Sequence, residues 1–119
     1  MITPESSILK GLETQQLSAV VFIQDYVQLQ FDGHCLTAYA WPIIRDGARA
    51  LSHTTPGYRD ALCGLIGYVV EKATEDPLDK LTLYFINGIT IEVSLKESDR
   101  EGPEAAMLQD PTKNRWNVW

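Results

Sequence analysis

Cysteine is scarce in this chain of 119 residues. The two thiols, Cys35 and Cys63, have no CxxC spacing, so they read as small buried hydrophobes of a reducing compartment rather than as a bridge or a metal clip. Basic residues are few and scattered, 10 against 16 acidic ones, and no run of Lys or Arg exists. A chain of net charge −6 repels phosphate backbones, which excludes nucleic acid as the expected partner. The longest apolar run is Ala19-Val20-Val21-Phe22-Ile23, far short of the ~20 residues that span a bilayer as a helix. Neither a basic region nor an apolar stretch opens the chain at Met1-Ile2-Thr3-Pro4-Glu5, so no signal peptide is expected, no membrane partner, and a cytoplasmic location. There is no GxGxxG, P-loop, GxSxG or HExxH, and the two histidines, His34 and His53, have no ligand at metal spacing. No metal and no cofactor is expected.

What is present fits one domain over residues 1–119. Apolar residues at 45% and charged residues at 22% are globular proportions, and a chain of this length buries enough surface to need no disulfide. Thr3 and Pro4 suggest a short helix or turn over Pro4 to Leu12, and Leu17 to Ile23 is β-branched and strand-like. Tyr26 to Phe31 alternates apolar and polar, Asp32-Gly33 supplies a two-residue turn, and a return strand runs from His34 to about Trp41 before Pro42. That turn pairs Phe31 with His34 and Leu29 with Leu36. A second hairpin runs from Leu81 to Val93 around Ile86-Asn87-Gly88. Burial favours a three-residue loop with Gly88 left-handed, which puts Leu81, Leu83 and Phe85 on one face with Ile89, Ile91 and Val93.

Between the hairpins, Tyr58, Ala61, Leu62, Leu65, Ile66, Val69 and Val70 recur at helical spacing, with Thr55 as cap and Pro56 at the first position. This predicts the main helix, Tyr58 to Val70. Gly64 and Gly67 inside it cost about 1 kcal/mol each and suggest close approach to another backbone. The expected fold is therefore α+β: an antiparallel sheet of two hairpins plus an N-terminal strand, with one main helix on one face. The tail is too apolar for a solvated extension, and Trp116 to Trp119 is expected to fold back as an edge strand.

Four groups of residues invite a functional reading. The long connection Pro42 to Thr55 holds Arg45, Arg49 and His53, with Arg59 just beyond, and leads into a helix N-terminus that favours anions. A small carboxylate or phosphate suits that loop, and so does the plainer reading in which a threonine caps the helix and the arginines are solvated. The Gly102-Pro103-Glu104 segment marks a structural turn, with Glu101 and Glu104 placed to cap it or to pair with Arg100. His34 and Cys35 are neighbours on a strand, so their side chains point to opposite faces and form no nucleophile–base pair. Tyr26, Tyr39 and Trp41 fall on the sheet face opposite Leu29 and Phe31, an aromatic stripe covered either by a partner chain or by the protein's own ends.

The Gly102-Pro103-Glu104-Ala105-Ala106 segment, the Leu-x-Phe runs into glycine turns, the Tyr58-Arg59-Asp60-Ala61-Leu62 helix start and the terminal tryptophans together resemble small bacterial α+β proteins of uncharacterised role. Some proteins of that look are encoded beside polymorphic toxins and are thought to be immunity proteins. The resemblance implies a non-enzymatic interaction domain and carries over no catalytic residue. Glu71 to Glu104 holds nine acidic residues against four basic ones, a surface suited to a basic partner. The leading expectation is a non-enzymatic, cytoplasmic protein–protein interaction domain, as a homodimer or with another protein. The alternative is a small anionic-ligand binder or enzyme using Arg45, Arg49 and His53.

Overall fold

The two glycine hairpins form as their turns require. In the computed structural model, which describes residues 7–119, β2 (Val27–Phe31) and β3 (His34–Ala38) pair Phe31 with His34 and Leu29 with Leu36 around Gly33, whose φ is +80°. Strands β7 (Lys80–Phe85) and β8 (Thr90–Ser94) pair Leu81 with Val93 and Leu83 with Ile91, closed by Gly88 at φ +89°. All of Leu81, Leu83, Phe85, Ile91 and Val93 are buried.

The remaining strands are β1 (Leu17–Phe22), β4 (Ile43–Asp46), β5 (Arg49–Leu51), β6 (Val70–Asp76), β9 (Ala106–Asp110) and β10 (Arg115–Val118). The ten form two five-stranded antiparallel sheets, A in the order β1-β2-β3-β9-β10 and B in the order β5-β4-β8-β7-β6. One hydrophobic core lies between them, lined by Leu29, Leu36 and Leu108 from sheet A and Leu83, Ile91 and Val93 from sheet B. The sheets are also stitched along one edge. Thr14 N–H donates to Val70 O, Val70 N–H to Gln15 O and Leu17 N–H to Tyr68 O, so β1 and the start of β6 continue one ladder. Among the described residues the free edges are β10 and β5.

The α+β expectation is therefore corrected to a mostly β fold. The two hairpins lie in different sheets, and the helix predicted over Tyr58 to Val70 is only six residues, α1 (Tyr58–Cys63). Gly57, left-handed at φ +86°, occupies the cap position, and Thr55 instead accepts a hydrogen bond from Ser52 N–H in the preceding turn. Gly64 and Gly67 terminate the helix rather than admit a neighbouring backbone. Gly67 turns left-handed at φ +96° and gives its N–H to Leu17 O, which frees Val70 to open β6. Tyr58, Leu62 and Leu65 still face the core, while Ile66 is 43% exposed.

Thr3 and Pro4 lie outside the described residues; the first described element is a 3₁₀ turn, Ile8–Leu12, capped by Ser7. The return strand β3 stops at Ala38, short of Trp41. The tail does fold back as the edge strand β10, on β9. Among the described residues no helix is long and apolar enough to cross a membrane.

Candidate functional site

The residues singled out for an anion do not converge as one group. Arg45 and Arg49 sit on the β4–β5 hairpin, where Arg45 pairs with Ala50 and Asp46 with Arg49, so the two arginines occupy opposite faces. Arg45 Nε is 2.9 Å from Glu92 Oε2, a carboxylate that Lys80 Nζ also approaches at 3.4 Å. His53 and Arg59 do meet, lining a cavity of about 500 Å³ with Phe22, Trp41 and Tyr58. There the His53 ring stacks on Trp41 at 5.3 Å and the Arg59 guanidinium lies 5.5 Å over Phe22. Tyr58 gives its hydroxyl proton to Pro42 O at 2.6 Å, and burial pushes the phenol well above its ordinary pKa.

The aromatic stripe divides. Tyr26 and Tyr39 stay together, ring centroids 5.3 Å apart, whereas Trp41 has left for His53. Gly102, Pro103 and Glu104 wall the tyrosine pair in a shallow cavity of about 370 Å³. Burial, then the Glu104 charge, raises the Tyr39 pKa. Arg100 braces that turn by donating to Leu95 O at 2.8 Å and Pro103 O at 2.9 Å, so it serves backbone carbonyls rather than Glu101 or Glu104.

Strand register exposes a feature that linear reading missed. Cross-strand partners share a face, so the outer side of sheet A consists of two rows. One is Ala19, Gln30, Cys35, Gln109 and Trp116; the other is Val21, Gln28, Thr37, Met107 and Val118. None of these ten residues is charged. By the same reasoning the outer side of sheet B carries Arg45, Lys72, Asp76, Lys80 and Glu92 among its residues. The Tyr26–Tyr39 pair extends the neutral face at one end. At the other end a groove of about 590 Å³ opens beside Gln30, Cys35, Gln109 and Trp116. Trp116 is 70% exposed, the most open aromatic ring on that face. Alternation alone marks these positions as outward on each strand; that the five strands lie side by side is long-range information.

Beneath this face, at the turn end of the core, sits a buried carboxylate. Asp110 accepts from Thr112 Oγ1 at 2.5 Å and lies 3.4 Å from both His34 Nε2 and Arg115 Nη2. The Thr112 hydrogen bond, against the opposing effect of burial and with help from His34 and Arg115, holds the Asp110 pKa below its usual value. His34 Nδ1 is 3.2 Å from Asp32 O, so both ring nitrogens are occupied within the protein. Burial raises the Cys35 thiol pKa, so it is a poor thiolate. Among the described residues no three His, Cys, Asp or Glu side chains are grouped to hold a metal.

Comparison with known protein families, curated proteins and solved structures returns no match to this chain. The likeness to small bacterial α+β proteins is corrected on its fold, because a six-residue helix leaves no helical layer.

Proposed function

We propose that the chain is a non-enzymatic protein-interaction module that docks a partner on the outer face of sheet A. The observation that carries this reading is the ten-residue face without a charge, on a chain in which 26 of 119 residues are charged. Depletion of charge with an exposed Trp116 and half-buried Met107, Tyr26 and Tyr39 is the composition of an interface centre. Gln28, Gln30 and Gln109 add amides able to donate and accept without carrying charge. The partner that fits is a protein of similarly uncharged surface, not a basic one. Of the acids in the Glu71–Glu104 stretch, Glu101 and Glu104 border this face only at its Tyr26–Tyr39 end, and others are already paired: Glu92 with Arg45 and Lys80, Asp79 with Lys96. His34 and Cys35, the reactive types nearest the face, are respectively engaged internally and held as a thiol, which favours binding over catalysis.

A photo-crosslinking amino acid placed at Gln28, with a control at Thr74 on the outer face of sheet B, tests the proposal in growing cells. Discrete protein adducts at Gln28, lost when Met107→Lys and Val21→Lys introduce charge, are expected. Equal labelling at both faces, or none at Gln28, overturns the reading.

A further inference from the structure

The free edge of sheet A specifies a particular contact. In the β9–β10 ladder Trp119 N–H donates to Ala106 O at 2.9 Å, which makes Trp119 and Ala106 a hydrogen-bonded pair. Bonded and non-bonded pairs alternate along an antiparallel ladder. Asn117 with Leu108 and Arg115 with Asp110 are therefore the bonded pairs as well. The other side of β9 agrees: Tyr39 N–H donates to Ala105 O at 2.8 Å, so within Ala106–Asp110 odd-numbered residues serve β3 and even-numbered ones serve β10, while just before the strand Ala105 N–H turns to Trp119 O at 2.7 Å. The N–H and C=O groups of both Trp116 and Val118 therefore point away from β9, toward the open edge.

Most other edges of the molecule are handled. The β1 edge is stitched at Leu17 to the segment entering β6, and β5 is three residues long and carries Arg49. In β10 neither proline nor bulge interrupts the ladder, and Trp116 and Val118 are 70% and 37% exposed.

We infer that β10 pairs antiparallel with β10 of a second copy of this chain, across a two-fold axis through Asn117, to make one ten-stranded sheet. In that register Trp116 faces Val118 of the second copy, and Val118 faces its Trp116. Both residues carry the outward edge groups, of which Val118 O takes only a 3.5 Å contact from Asn117 Nδ2, so the pairing forms four main-chain hydrogen bonds. The register is self-complementary, as a two-fold contact must be. Trp116 meets an apolar residue, and the row ending in Trp116 runs directly into the row of the second copy that ends in Val118. Ten successive uncharged positions then cross the axis. The self-complementary register selects the occupant, and the neutral rows flanking this edge keep the acidic surfaces of two chains of net charge −6 from meeting at the contact. Shifting the strands by one residue would oppose outward with inward side chains, so the axis is confined to a residue rather than a peptide bond.

This inference rests on the reading of sheet A as an interaction surface and adds a second copy at its edge, which joins the outer faces of the two copies into one surface. Sedimentation velocity on the full chain, from about 1 µM to about 1 mM, reads the association. A dimer is expected, and Val118→Pro, which removes one outward N–H while sparing the bonds to β9, weakens it at least ~10-fold. Because a proline can disturb folding, Asn117→Cys gives an independent readout in a chain with Cys35→Ser and Cys63→Ser. The two Asn117 positions form a non-bonded pair with Cα atoms about 4.5 Å apart, within disulfide reach. Oxidation is expected to yield a covalent dimer from Asn117→Cys and none from Gln109→Cys, one strand inward. A chain monomeric at all concentrations overturns the inference. So does a dimer that cross-links through Gln28→Cys and not Asn117→Cys. In the second case, as with a monomer whose Gln28 photo-adduct is a different protein, the interaction face stands while the edge pairing falls.

Discussion

Tyr58 shows how a single side chain ties distant segments together. Its ring fills the core and its hydroxyl satisfies Pro42 O, at the point where the chain leaves sheet A for sheet B. Tyr58→Phe keeps the ring and strands a buried carbonyl, so it is expected to lower unfolding free energy by about 1–3 kcal/mol in urea denaturation. Asp110 plays the corresponding part between the β2–β3 and β9–β10 turns. Its folded pKa lies below the unfolded value near 3.8, so its stabilising contribution is complete above that value. The contribution disappears as pH falls through the lower folded pKa, when the carboxylate protonates. Asp110→Asn is expected to be less stable than the parent at pH 7 and to converge on it under acid, in melts recorded at pH 2–7. Parallel profiles for the two proteins would show that Asp110 contributes no pH dependence. Neither role was visible along the chain, because His34 and Asp110 are far apart in sequence and only the β3–β9 pairing brings their strands together.

At the level of elements, the decisive position is Gly67. Its left-handed φ of +96° ends the turn after α1 and aims its N–H at Leu17 O. Gly67→Ala forces an L-residue into that conformation and is expected to cost about 1–2 kcal/mol by thermal or urea melting. Gly102→Ala is the control: space is open there and φ is not left-handed, so a change within about 0.5 kcal/mol is expected. The helical spacing from Tyr58 to Val70 was real at its first half, where Tyr58, Leu62 and Leu65 do turn inward. Helix propensity is a weak prior, and two glycines followed by β-branched Val69 and Val70 let strand pairing with β7 prevail. The β4–β5 hairpin carries the same Asp-Gly dipeptide as the first hairpin, at Asp46-Gly47, with Gly47 at φ +61° in the first loop position. That signal, read as part of a long loop, was available and identifies the element that splits Arg45 from Arg49.

For the whole molecule, two sheets sharing one core should unfold together. Leu83→Ala removes a fully packed side chain between them and is expected to cost about 2–5 kcal/mol while leaving a single transition by circular dichroism and tryptophan fluorescence. Two resolved transitions would mean that the sheets are separate cooperative units. The interaction face is likewise a property of the assembled sheet. Each strand contributes two of its ten residues, and only the order β1-β2-β3-β9-β10 sets them side by side. The cavity holding His53 and Arg59 arises in the same way, from residues that approach Trp41 and Phe22 only after both sheets close.

Local chemistry alone determined the Asp32-Gly33 and Gly88 hairpins, their registers and inward faces, and the return of the apolar tail as an edge strand. Each follows from a turn residue's allowed φ or from the two-residue alternation of a pleat, which act between near neighbours. Tertiary structure decided that residues 64–70 continue as turn and the start of a strand instead of helix, that the hairpins belong to different sheets, and that ten neutral side chains share a surface. Those outcomes depend on hydrogen bonds and burial between segments far apart in the chain, such as Gly67 with Leu17, whose free energy no local propensity contains.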